Sequence, residues 1–362
     1  MKGASAAFAL AMSTRLSPSV RCGARLRARI IIALALAALA TACATPQTQQ
    51  PGVAELLERQ VRVLSSDDYG GRAPGTVDEE QTLDHLQKSW EAIGLLSGTH
   101  DPVSPWRASF TIYPVGKAPV VTHNLIGRIA GTQPHEGAVL VLAHWDHLGR
   151  DTPACRPHLF DTVCNGAIDN ATGLAMITQI ARILAEGPPM ARDVYVLATS
   201  GEEAGLLGAT AFAADPPVPL GKFVAAFNID SEGLTPTGTV AVMIGDDAGP
   251  LAELVRATAA ANGVHLADAT KANRLYRHRQ DGWALERAGL PTVMVSASFA
   301  DEERLARWMA GSYHRADDEA DAVELGGAVR MVALHVALVK AAADPEVYPF
   351  EYTSGTQTVP AP

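Results

Sequence analysis

Residues 53–64 carry Val53, Leu56, Leu57, Val61 and Leu64 at intervals of three and four, which predicts an amphipathic helix. A turn-rich stretch from Ser65 to Thr76, with glycines at 70, 71 and 75, separates it from a second helical segment, Glu79 to Ile93. Thr111–Val115 and Asn124–Ile129 read as strands leading into a main sheet. The pattern then changes to short runs of the kind expected for strands buried on both faces: Ala138–Ala143, Asp193–Ala198 and Phe223–Ile229. Thr172–Leu184 is helical between the first two. Val240–Ile244 and Thr292–Ser296 continue as strands, with helices at Pro250–Asn262, Trp283–Ala288 and, amphipathic and closing the chain, Glu324–Ala342. This alternation predicts an α/β fold: a single domain with a mixed, mostly parallel central sheet flanked by helices.

Polar clusters follow or interrupt these apolar stretches. They are His144-Trp145-Asp146-His147, Asp169-Asn170, Glu202-Glu203, Asn228-Ile229-Asp230 and Tyr313-His314. His144, the Glu pair and Asp230 stand at or just beyond strand C-termini, where open α/β sheets place their sites. Taken singly, a histidine or aspartate in a loop is usually a cap or a solvated group, and a Glu pair after a strand often opens an exposed helix. Jointly they offer two histidines, two aspartates and a glutamate as hard-to-borderline ligands, with a second glutamate free to act as a base. That is the inventory of a two-metal hydrolase.

The chain of 362 residues, 48% hydrophobic, is long enough for one large core. Its formal net charge is −10, yet residues 1–42 hold Lys2, Arg15, Arg21, Arg25, Arg27 and Arg29 and no acid. Without those six cations the remainder carries about −16. Nucleic acid is therefore not expected as a partner, since phosphate binding requires a basic surface. The basic stretch Arg21–Arg29, the apolar run Ile30–Leu39 and Ala40-Thr41-Ala42 before Cys43 read as a signal peptide over 1–42. Small residues before a cysteine resemble a bacterial lipobox, with Leu39 four residues before the cysteine instead of three. Lipidation of Cys43, plain cleavage after Ala42, and retention as a membrane anchor or an organellar presequence are the alternatives. The expected location is the periplasm, an outer-membrane-anchored lipoprotein, or the medium.

Residues 43–52 read as a flexible tether, 53–345 as the globular domain and 346–362 as a poorly ordered tail. Cys155 and Cys164 are the only cysteine pair in the globular part and flank a short loop. In an oxidising compartment they suit a disulfide, while a metal-ligand reading lacks a second CxxC-like pair.

From about Leu64 to about Ala322 the chain resembles the M28 metallopeptidases, which include bacterial aminopeptidases. The resemblance rests on Asn124-Leu125-Ile126-Gly127, His144-Trp145-Asp146-His147-Leu148-Gly149, Gly166-Ala167-Ile168-Asp169-Asn170-Ala171-Thr172-Gly173 and Ser200-Gly201-Glu202-Glu203-Ala204-Gly205-Leu206-Leu207-Gly208. Asn228-Ile229-Asp230 and Tyr313-His314 follow in the family's order, and Gly70–Thr76 is similar to its N-terminal loop. The resemblance implies the zinc-dependent exopeptidase fold and two zinc ions, with cobalt or manganese as possible substitutes. It implies that His144 and Asp230 bind one ion, that Glu203 and His314 bind the other, and that Asp169 bridges them. Asp146 would orient the His144 imidazole, Glu202 would be the general base, and Tyr313 could donate to the tetrahedral oxyanion.

Arg279-Gln280-Asp281-Gly282-Trp283 departs from the family's Arg-Ser-Asp-His loop, with Gln for Ser and Gly for His, which puts side-chain preference in doubt. Arg274, Arg277, His278 and Arg279 form a basic cluster that could recognise a substrate carboxylate or be a salt-bridged surface loop. The implied function is an exported zinc aminopeptidase acting on peptides with a free N-terminus. A carboxypeptidase or glutaminyl cyclase on the same fold is the alternative, and a non-catalytic, receptor-like member is a further one.

Overall fold

The apolar runs of the sequence form the middle of one sheet in a computed structural model that describes residues 52–116 and 118–350. The strands are β1 Leu96–Ser97, β2 Arg107–Ile112, β3 Val120–Ile129, β4 Ala138–His144, β5 Gly149–Arg150, β6 Val163–Cys164, β7 Asp193–Thr199, β8 Phe223–Asn228, β9 Val240–Gly245, β10 His265–Leu266 and β11 Thr292–Ser296. β5 and β6 pair only with each other, and the other nine make a sheet of order β1-β3-β7-β4-β8-β11-β9-β10 with β2 also on β3. The four central strands β7, β4, β8 and β11 run parallel. On one side β3 joins β7 antiparallel and receives β1 and β2 antiparallel, and on the other β9 is antiparallel to β11. The parallel character expected from sequence is thus concentrated in the centre, where helices cover both faces and every residue of β4, β7, β8 and β11 is buried.

Alternation along these strands divides the core. Val139, Val141, Ala143, Val194, Val196 and Ala198 pack with α1 Val53–Leu64, α3 Thr172–Ala185 and α9 Leu325–Ala342. Leu140, Leu142, Tyr195 and Leu197 face the other way, onto Ala209 and Phe212 of α4 Leu207–Ala214 and Leu285 of α7 Asp281–Arg287. The remaining helices are α2 Val77–Ala92, α5 Gly249–Ala261, α6 Thr270–Tyr276 and α8 Glu302–Gly311. α9 is long and apolar enough to cross a membrane by length and composition, but it packs on α1, α3 and α5 inside the domain.

α9 also buries a histidine. His335 is fully buried and places Nδ1 2.8 Å from the Met331 carbonyl, so Nδ1 carries the proton and donates it. Burial pushes this imidazole down to about 4. In the unfolded chain it titrates near 6.5, so stability is lost as pH falls from 6.5 to 4. The full loss is about 3 kcal/mol. The melting temperature of the wild type is expected to fall more steeply across this window than that of His335→Leu, and parallel profiles would show that His335 does not contribute.

Several expectations shift. The strand expected at Thr111–Val115 lies at Arg107–Ile112, because Pro114 cannot donate to the ladder, and Tyr113 and Val115 are exposed outside it. α4, α6 and α8 were not expected, and β3 begins four residues earlier than Asn124. Tyr348, placed in the tail by sequence, is buried in the core, and its carbonyl accepts from Arg192 Nη1 at 2.8 Å. The expected signal peptide over 1–42, Cys43, the expected tether up to residue 51 and tail residues 351–362 lie outside the described residues.

Candidate metal centre

Because β4, β7 and β8 are parallel neighbours, their C-terminal ends share one edge of the sheet, and the polar clusters meet there. His144 is the last residue of β4, Glu202 and Glu203 follow β7, and Asp230 follows β8. Asp169 sits in the irregular turn Ala167–Ala171 before α3, across a cis peptide from Asn170, and His314 follows α8 with φ +59°. His144 Nε2 lies 3.1 Å from Asp169 Oδ1 and 3.6 Å from Asp230 Oδ1. His314 Nε2 lies 3.0 Å from Glu203 Oε2 and 3.5 Å from Asp169 Oδ2. All five residues expected as ligands are therefore brought together, with Asp169 between the two groups.

His144 Nε2, His314 Nε2 and Glu203 Oε1 are shielded from solvent and have no hydrogen-bond partner among the described residues. Nitrogen and oxygen donors held this close without being directed at each other fit a shared cation, and imidazole with carboxylate suits zinc, cobalt or manganese. His144, Asp169 and Asp230 form one convergent triad, and His147, Asp169 and Glu203 form another.

The supporting contacts explain how the donors are held. His144 Nδ1 is 3.0 Å from the main-chain carbonyl of Asp146, closer than the 3.9 Å to its carboxylate. That carboxylate instead accepts the Glu202 N–H at 3.2 Å, joining the loop after β4 to the loop after β7, and burial raises it to about 7. Asp318, which the sequence reading did not single out, is fully buried and accepts from the N–H groups of Ile168 and Asp169 at 3.1–3.2 Å, fixing the turn that carries Asp169. Arg72 is also fully buried. Its guanidinium donates to the carbonyls of Leu64, Trp145, Asn165 and Gly166 at 2.6–3.0 Å, stitching the glycine-rich N-terminal loop to the loops that bear His144 and Asp169. Burial lowers it to about 10, still protonated at neutral pH.

Burial raises the Glu202 carboxyl well above the usual range; His144 opposes the shift, and Asp230, Asp281 and Glu203 add to it. Burial, with Asp169 and Glu203, also raises the Tyr313 phenol, so Tyr313 stays a hydrogen-bond donor across the working pH range. Its ring stacks on His314 at 3.8 Å between centroids, and its hydroxyl is 3.5 Å from Arg279 Nη2.

The two departures in the Gln280–Gly282 loop fit each other. Gln280 Oε1 accepts from Asn228 Nδ2 at 2.6 Å and from the Gly282 N–H at 2.8 Å, capping α7. A Cβ on residue 282 would stand 2.6 Å from that same oxygen, so the longer side chain at 280 occupies space that only glycine at 282 leaves open. The basic cluster divides. Arg277 is paired with Glu286, whereas Arg279 lines the cleft beside Asp169, Glu202, Asp230 and Tyr313.

Cys155 and Cys164 form the expected disulfide, with Cα atoms 5.6 Å apart. The loop it closes is tied to the His314 segment through Arg156 N–H to His314 O at 3.2 Å and Ala316 N–H to Arg156 O at 3.0 Å. Replacing both cysteines by serine is expected to lower unfolding free energy by about 2–3 kcal/mol in urea titrations. An unchanged midpoint would mean the loop is held by these backbone bonds alone.

The sequence model of peptidase family M28 matches residues 124–339. Comparison with curated proteins gives no match. Among solved structures, a zinc aminopeptidase from Bacillus subtilis is similar over 82% of this chain and 97% of its own, with 16% identity and TM-score 0.59. A Zn-dependent exopeptidase from Parabacteroides distasonis is similar over 81% and 99%, with 16% identity and TM-score 0.61. Glutaminyl cyclase from Porphyromonas gingivalis is similar over 79% and 97%, with 16% identity and TM-score 0.61. At these identities the structures establish the fold alone, while the family match spans well over half the chain and covers the loops from β4 to His314. The protein belongs to peptidase family M28.

Proposed function

We propose that the protein is an exported two-metal aminopeptidase. The observation that carries this reading is the convergence of His144, Asp169, Glu203, Asp230 and His314 beside a second carboxyl, Glu202, that is not needed as a ligand. Zinc ions held by His144 with Asp230, by Glu203 with His314, and by Asp169 between them would supply Lewis acidity and water made acidic near neutral pH. Glu202 takes a proton from the attacking water and delivers it to the leaving amine. Tyr313 O–H donates to the oxygen that becomes negative on the scissile carbonyl. Asp146 holds Glu202 through its N–H and keeps His144 turned toward the metals through its carbonyl.

A free α-amine offers the cleft a lone pair and, when protonated, a charge, and acetylation removes both. The metal-free protein reconstituted with zinc is expected to cleave aminoacyl amides and to leave their N-acetylated counterparts intact. Cleavage of blocked or C-terminal substrates would move the assignment to an endopeptidase or carboxypeptidase, and cyclisation of N-terminal glutamine without peptide cleavage would move it to a cyclase. The Cys155–Cys164 disulfide supports export into an oxidising compartment. Attachment to a membrane through lipidated Cys43 belongs to the same proposal, and the mass of the mature N-terminus tests it.

A further inference from the structure

The second triad contains His147 together with Asp169 and Glu203. His147 is fully buried beside Glu203, with its Nδ1 2.6 Å from Glu203 Oε1. The two atoms are this close, yet neither meets the geometry of a hydrogen bond with any described residue, so the contact is close without being well directed. His314 Nε2 approaches the other oxygen of the same carboxylate, Oε2, at 3.0 Å, and the His147 and His314 rings meet edge to face with centroids 5.7 Å apart. The His147 ring is also fixed in place. Gly166 packs so closely against it that a Cβ there would stand 2.6 Å from Cδ2, and the main-chain N–H of His147 donates to the Arg72 carbonyl at 3.2 Å, which holds the backbone from which the ring projects. A rigid imidazole whose lone pair and a carboxylate oxygen converge without bonding is arranged as a pair of ligands.

We propose that His147 is a direct ligand of the Glu203 metal, in addition to Asp169, Glu203 and His314, and this rests on the two-metal reading above. The two sites are then unequal. The Glu203 site takes four protein side chains and is closed, while the His144 site takes His144, Asp230 and Asp169 and keeps an open position. The ion at the closed site is held for long periods, and the ion at the open site exchanges first.

The test is proton NMR of the protein loaded with cobalt(II), in which each coordinated imidazole with a protonated second nitrogen gives its own strongly shifted, exchangeable resonance. Metal content is measured on the same samples. With two cobalt ions bound, the wild type is expected to show three such resonances, from His144, His147 and His314, and His147→Gln two. Release of the second ion to a chromophoric chelator is expected to be at least about tenfold faster in His147→Gln. Two resonances in a wild type holding two ions would overturn the proposal alone, leaving His147 as a neighbour of Glu203, and this outcome does not depend on the variant folding. Uptake of fewer than two ions would overturn the two-metal reading itself, and the proposal with it.

Discussion

Glu202→Gln is expected to lower kcat by about 10³-fold while the protein keeps its full metal content. Glutamine has the same shape and keeps the side chain polar, but it cannot accept the proton that the attacking water must lose. The N–H of residue 202 would still reach Asp146 Oδ1, so the loop after β7 stays in register. Glu203→Gln provides the contrast, because it alters a side chain that lies between His147 and His314 and should reduce metal content together with activity. Both variants are read by steady-state kinetics on a free-amine substrate beside elemental analysis. More than a tenth of wild-type kcat in Glu202→Gln would remove Glu202 from the role of base. Loss of metal in that variant would make it a ligand.

Arg72→Met is expected to cost about 4 kcal/mol of unfolding free energy, because four buried carbonyls lose a charged donor. Methionine fills much of the volume, so the loss reports hydrogen bonding more than packing. Arg72→Lys should recover only part of it, since one ammonium cannot reach carbonyls that a planar guanidinium spans. Metal affinity should fall as well, because Trp145 follows His144 and Gly166 precedes the Asp169 turn. Urea titration decides the matter, and a shift below about 1 kcal/mol would mean that the carbonyls find other donors.

The centre of the fold was legible because β4, β7, β8 and β11 are buried on both faces and therefore read as uninterrupted apolar runs. At the sheet margin that signal weakens. β3 opens with Val120-Val121-Thr122-His123, half exposed and alternating, and the apolar Tyr113 and Val115 beyond β2 suggest a strand where the chain is already turning. α4 was obscured because Leu207–Ala214 is apolar nearly all round and follows directly on the Glu-Glu loop, leaving no amphipathic stripe to count. α8 carried its signal, with Asp301 capping the Arg304 N–H and Leu305 and Trp308 three apart on the buried face.

In the site, order and identity of the clusters pointed to His144, Asp169, Glu203, Asp230 and His314, and the structure brings these together. What a sequence cannot carry is direction. His147 stands in the same motif as His144, but only the fold shows that its ring lies beside Asp169 and Glu203. Asp318 and Arg72 act through main-chain groups of other loops, and main-chain geometry leaves no mark on residue identity. The coupling of Gln280 with Gly282 likewise emerges only when the amide oxygen is seen in the space a Cβ would take.

The side chains gathered at the sheet edge come from chain positions as far apart as 144 and 314, and the strands that carry them interleave in space out of their order of synthesis. A polypeptide still emerging from the ribosome, or one cut short before residue 314, therefore holds only fragments of the centre. The full set of converging donors is therefore complete only once the segment that carries His314 has been made and folded.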